Sequence, residues 1–159
     1  MTTLYLDMDG VVADFDEYTT RTLGILPREI YPEEIWHKLA SNPRLYKDLI
    51  PTPYATQLVY TCQQFCNRNK YDLKFLTAVP KNNDIPWVFN DKVYWARNYF
   101  ATIPVMFGPY SKDKYHHCQT GDILIDDRLT NIQDWIAAGG IAIHHKNIDT
   151  TLQQLSNLL

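Results

Sequence analysis

Five short apolar runs limit the folds open to this chain: residues 4–8, 73–77, 103–107, 123–125 and 141–143. Each is too short for a helix and too apolar for a solvated strand, so each reads as a strand buried on both faces. Helical patterns lie between them. Residues 53–67 place Ala55, Leu58, Val59, Cys62, Phe65 and Cys66 close to a 3.6-residue period. Residues 87–100 carry Val88, Phe89, Val93, Trp95, Ala96 and Phe100. Residues 132–138 stop at Gly139–Gly140, and 151–159 form a last short helix. Strands alternating with helices predict an α/β fold: a Rossmann-like parallel sheet of about five strands, with helices on both faces and right-handed connections.

The rhythm breaks once. Residues 15–51 hold no strand pattern and are punctuated by Pro27, Pro32, Pro43 and Pro51. This stretch is too long for a plain connection. It predicts a small helical cap inserted after the first strand, with 1–14 and 52–159 forming the α/β core. The insert is rich in aromatics, among them Phe15, Tyr18, Tyr31, Trp36 and Tyr46. They suit a small core of the cap, with one or two left to face a ligand.

With 159 residues, 45% hydrophobic and 21% charged, the chain has the balance of one globular domain. A net charge of −3 gives no basic field for a nucleic acid polymer. No apolar run approaches the ~18 residues of a membrane helix. Cys62, Cys66 and Cys118 form an odd set with no secretory pattern, which leads us to expect reduced thiols and a cytoplasmic setting. The pairs His116–His117 and His144–His145 are neighbours that cannot face one ligand together. They read as surface or loop residues.

The chemistry-bearing stretch is LYLDMDGVVADFD, with Asp7, Asp9, Asp14 and Asp16. An aspartate after a strand ordinarily caps a turn or a helix. Here the first strand ends in Asp7 and the fourth ends in Asp126–Asp127. In an open parallel sheet, ligands bind beyond the carboxyl ends of the strands. If strands one and four are neighbours, Asp7, Asp9, Asp126 and Asp127 converge. Carboxylates that close ionise together only around a hard cation, and Mg²⁺ with oxygen ligands fits best. Thr77 and the Ala78 amide lie at the end of the second strand, and Lys112 and Lys114 follow the third. A hydroxyl, an amide and a cation at that edge suit a phosphoryl group.

In order, DMDGVVADF, FLTAVP, SKDK and DILIDDR resemble the four motifs of the haloacid dehalogenase superfamily of phosphatases. With NDKVYWARNYF and GDILIDDRLTNI added, the chain resembles the 5′(3′)-deoxyribonucleotidase family over nearly its whole length, least across the insert. The resemblance implies a Mg²⁺-dependent phosphomonoesterase acting on (deoxy)nucleoside monophosphates through an aspartyl-phosphate. It implies Asp7 as nucleophile and metal ligand, Asp9 as general acid/base, and the Asp9 backbone carbonyl and Asp126 carboxylate as further metal ligands. Asp127 would stand next to the ligands, and Thr77 and Ala78 would bind phosphate. Ala78 departs from the Ser that relatives often carry. Lys114 would be the motif lysine, with Lys112 as the alternative. Arg128, Phe15 and Trp36 would line the substrate pocket. A phosphatase for another small phosphoester such as a sugar phosphate, or a non-catalytic Mg²⁺/phosphate-binding regulator, would share these features.

Overall fold

The structure, a computed structural model, describes residues 1–24, 32–39, 41–80 and 87–158. Five strands form one parallel sheet: β1 (Thr3–Leu6), β2 (Asp72–Thr77), β3 (Val105–Phe107), β4 (Ile123–Asp126) and β5 (Ile141–His144). Their spatial order is β3-β2-β1-β4-β5. The chain therefore reverses its direction of growth between β1 and β4, which are direct neighbours. β3 is shorter than its apolar run because Pro104, which has no N–H to give, precedes it; its carbonyl still accepts from Phe75 at 2.9 Å.

Alternation along the strands sorts two cores. Leu4, Leu6, Phe75, Ile123, Ile125 and Ile143 point to one face. They pack with residues of α4 (Ala55–Asn69), α5 (Val88–Tyr99) and α7 (Ile148–Ser156). Tyr5, Leu76 and Leu124 point to the other face, against Trp135 of α6 (Leu129–Ala137). Each fully buried leucine contributes roughly 2 kcal/mol. Helices thus cover both faces, as the sequence predicted.

The insert carries α1 (Phe15–Leu23), α2 (Pro32–Leu39) and the single turn α3 (Leu45–Asp48). Its neck is closed by backbone bonds: Asp14 N–H donates to Ile50 O at 2.8 Å, and Thr52 N–H to Val12 O at 2.9 Å. Asp14 is the N-cap of α1, its Oδ1 accepting from Glu17 N–H at 3.0 Å. That capping role, and the exposed position of Asp16, account for the second half of LYLDMDGVVADFD. Tyr31 and the side chain of Trp36 lie outside the described residues.

Two smaller expectations are settled here. Cys62 and Cys66 are buried free thiols, and burial pushes the Cys66 thiol up to about 12. The expectation for the second histidine pair needs correction, while His116 is exposed as expected. His144 closes β5, and His145 is buried, sharing hydrogen bonds of 2.8 Å with Tyr54 Oη and Thr151 Oγ1. Among the described residues no helix is long and apolar enough to cross a membrane.

Candidate active site

Neighbouring parallel strands end side by side, so the β1–β4 pairing decides where the carboxylates meet. Asp7 N–H donates to Ile125 O at 2.9 Å, extending that pairing one residue past β1. Asp7 and Asp126 are consequently adjacent at the carboxyl edge, and both are buried. Lys114 lies between them, its Nζ donating to Asp7 Oδ1 at 2.7 Å and to Asp126 Oδ2 at 2.8 Å. Lys112 is exposed. The two lysines part because Ser111–His117 is a 3₁₀ helix, in which residues three apart share a face. Ser111 bonds Asn131 Oδ1, Lys114 enters the carboxylates and His117 bonds Phe107 O, while Lys112 faces out.

Further hydrogen bonds reach the same two carboxylates. Asp7 Oδ1 accepts from Met8 N–H at 2.9 Å. Asp126 accepts from Arg128 N–H at 2.9 Å and from Asn131 Nδ2 at 3.0 Å. The side chain of Arg128 itself is exposed. The Asp127 carbonyl accepts from His144 Nε2 at 2.9 Å, and the Asp126 carbonyl from His145 N–H at 2.8 Å. These bonds fix the backbone from which the two aspartates project.

Ligand oxygens of Asp7, Asp126 and Asp127 lie within 4.8 Å of one another. Burial and the charge of Asp126 hold the Asp7 carboxyl well above the usual range, against the pull of Lys114. Burial and Asp126 push Asp127 up to about 6. Burial would raise Asp126 too, but Lys114 and its hydrogen bonds bring it below its ordinary value. One ammonium therefore serves three carboxylates. Three hard oxygen donors with surplus negative charge suit a divalent cation such as Mg²⁺.

Gly10 makes this convergence possible. Its φ is +82°, and a Cβ there would run into the Asp127 carboxylate. Gly10 belongs to a tight turn closed on the Met8 carbonyl by Val11, Val12 and Ala13 N–H groups. The Asp9 carboxylate, just before that turn, is not one of the three that cluster. A cavity of about 370 Å³ opens beside Asp127, bounded by Gly10, Asp14, Tyr54, His145 and Lys146.

The Asp9 carboxylate points instead to a residue that the sequence reading missed. Lys92 of α5 is 1% exposed, and its Nζ lies 2.7 Å from Asp9 Oδ2 and 2.7 Å from Thr77 Oγ1. Its Nζ also sits over the Tyr46 ring, 4.6 Å from the centroid. Tyr46 in turn stacks on Phe15, with centroids 6.4 Å apart. Burial first, and then the Asp9 charge, raise the Tyr46 phenol well above its ordinary value. Thr77 is buried and Ala78 half-buried at the same edge. The sequence holds only a faint signal for Lys92, its helical spacing from Val88, Trp95 and Ala96. The buried face of α5 is Val88, Asp91, Lys92, Trp95 and Ala96, a regular helical stripe that contains two charged residues. Charges on a core-facing stripe demand partners.

No family model matches the chain, and no curated protein matches it. Ten chains of solved structures match its fold. One is a hydrolase from Streptococcus pneumoniae TIGR4, similar at a TM-score of 0.51 over 97% of this chain and 97% of that chain, with 15% sequence identity. At that identity the likeness establishes the common fold, a parallel α/β sheet with helices around it.

Proposed function

We propose that this chain is a Mg²⁺-dependent phosphohydrolase of the haloacid dehalogenase type, acting on small phosphate monoesters, with nucleoside monophosphates as the preferred class. The observation that carries the reading is Lys114 held between Asp7 and Asp126, with Asp127 completing a carboxylate triad at the switch point of the sheet. The solved hydrolase with the same fold supports it. The resemblance to the deoxyribonucleotidases favours a nucleotide.

In this reading Asp7, Asp126 and the Asp9 carbonyl would hold the cation, with Asp127 beside them. Mg²⁺ supplies charge neutralisation for the phosphoryl oxygens when bound. An Asp7 carboxylate oxygen attacks phosphorus, the P–O bond to the leaving group breaks, and Asp9 gives its proton to the departing oxygen. Asp9, now ionised, takes a proton from water as that water attacks the aspartyl-phosphate. The bond from phosphorus to Asp7 breaks, and inorganic phosphate and the original carboxylate are restored. Thr77, Lys92 and Lys114 orient the phosphoryl group and offset its charge, which is most of what such a transfer needs. Residues 15–51 act as the cap over the leaving group.

The test is phosphate release across a panel of 5′- and 3′-nucleoside monophosphates and sugar phosphates, with and without Mg²⁺. Release from nucleotides that needs Mg²⁺ is the expected result. Release from sugar phosphates alone would replace the substrate class, and no release from any ester would leave a binding protein on this fold.

A further inference from the structure

Asp91 is a buried carboxylate, 1% exposed, whose hydrogen bonds reach away from the carboxylate triad. It accepts from Arg44 Nε at 2.7 Å and Arg44 Nη2 at 2.6 Å, a two-pronged pair in which the arginine side chain is 45% exposed. Arg44 belongs to the insert and immediately precedes α3, which carries Tyr46.

An ammonium group has three N–H donors. In Lys92 two of them meet Asp9 and Thr77, and the π face of Tyr46 stands opposite the group at 4.6 Å. Tyr46 therefore completes the surroundings of a lysine that is almost wholly buried. But Tyr46 sits on a helix of four residues, and a single turn cannot hold a ring in place by itself. Phe15 of α1 stacks on the ring from within the insert, and α5 supplies the anchorage from the core side. Three contacts supply it: the Arg44–Asp91 pair, the Lys47 ammonium 5.1 Å from the Tyr94 ring centroid, and Trp95 Nε1 donating to Leu49 O at 2.8 Å. Arg44 is also covered by Trp87, 5.5 Å from its guanidinium. Trp87 has a φ of +68°, a left-handed conformation that a bulky residue adopts only when its surroundings impose it. Only the Arg44 pair among these contacts is a charged, bidentate one, and it therefore sets register most strictly.

We propose that Asp91 is a positioning residue: by gripping Arg44 it sets α3 on α5, so that Tyr46 caps the Lys92 ammonium and keeps it aimed at Asp9 and Thr77. Adjacent residues of one helix thus divide the work, with Lys92 facing the phosphoryl edge and Asp91 facing the insert. The consequence of this placement for turnover rests on the phosphohydrolase reading; the placement itself does not.

The experiment reads Lys92 directly. A buried, hydrogen-bonded ammonium gives a protected side-chain ¹⁵N–H signal, assigned here by its disappearance in Lys92→Met. The wild-type protein should show this signal. Asp91→Asn and Arg44→Gln should each speed its proton exchange roughly tenfold or broaden it away, because the covering ring is released. Arg44→Lys should retain it in part, and Arg21→Ala, on the far ion pair with Glu17, should leave it unchanged. With p-nitrophenyl phosphate and Mg²⁺, kcat should fall by about tenfold in the first two variants and recover partly in Arg44→Lys. If Asp91→Asn does not fold, Arg44→Gln decides the matter, because that side chain is half exposed. An unprotected Lys92 in the wild type, or unchanged protection in Arg44→Gln, overturns the proposal. Loss of protection in a chain whose wild type hydrolyses no ester would uphold the positioning and end the phosphohydrolase reading.

Discussion

Asp7 Oδ1 stands 2.7 Å from Lys114 Nζ, with both side chains buried. Neither group would be stable there alone. The lysine loses solvation on burial and regains its charge from Asp7 and Asp126, which hold its ammonium above the ordinary value. The cation is therefore permanent, placed where a transferred phosphoryl group would meet it. Lys114→Ala should lower phosphate release on the order of 10²-fold or more, since it removes a preorganised charge from a dry site. Lys112→Ala should change it little, because that side chain is exposed. Steady-state kinetics of the two variants check this, and equal mild losses would place the essential cation elsewhere.

The parts of this site that could be read in the sequence are those tied to strand ends. A strand fixes where its last residue lies, so Asp7, Thr77 and Asp126 could be assigned to one edge once the sheet was recognised as parallel. Lys114 could not be separated from Lys112, because a short segment after β3 gives no period until its 3₁₀ geometry is known. Lys92 and Asp91 were hidden for a different reason. The apolar residues Phe89 and Val93 of α5 lie off its buried stripe, so hydrophobicity alone marks the wrong face. Only long-range contacts with Thr77, Asp9 and Arg44 reveal why charges occupy the core side. His145 was misassigned because its burial depends on Tyr54 and Thr151, which are remote in sequence.

Gly10 and Gly24 separate backbone strain from displacement of the Asp127 carboxylate. Both have positive φ, +82° and +77°, but a Cβ at Gly10 meets Asp127 whereas one at Gly24 meets nothing within 4 Å. Each Gly→Ala change should cost about 1 kcal/mol or somewhat more through the backbone. Only Gly10→Ala should also raise the Mg²⁺ concentration needed for half-maximal turnover. Thermal unfolding and Mg²⁺ titrations of both variants distinguish the effects. An unchanged Mg²⁺ requirement in Gly10→Ala would remove Asp127 from the proposed metal site.

The two aspartates of the DxD pair should fail differently. Asp7→Asn should abolish all turnover, because an amide does not accept the phosphoryl group as a carboxylate does. Asp9→Asn removes proton transfer alone. The nitrophenolate of p-nitrophenyl phosphate leaves without an acid, so the first step should survive, while the second still lacks a base. Rapid mixing should reveal a burst of at most one equivalent per site, with phosphate trapped on the protein after acid quench. A burst in Asp7→Asn and none in Asp9→Asn would invert the two roles.

The pH dependence of stability should report the triad through its response to added Mg²⁺. Asp127 titrates at about 6 in the fold against 3.8 ordinarily, so the folded chain holds this proton more tightly. Its contribution to metal-free stability is complete below about pH 4 and is lost as the pH rises through 6. Asp7, also raised by burial and Asp126, acts in the same direction. His145 acts oppositely: burial lowers its pKa, so its contribution is present above its ordinary 6.5 and is lost as the pH falls. A single melting curve mixes these effects, but the gain in Tm on adding Mg²⁺ isolates the triad. The cation must displace the Asp127 proton, so the gain should be small near about pH 5 and should grow toward about pH 7.5. Asp127→Asn should reduce that growth, leaving the part due to Asp7, and His145→Gln should leave it intact. A gain independent of pH in the wild type would mean that the cation is held without Asp127.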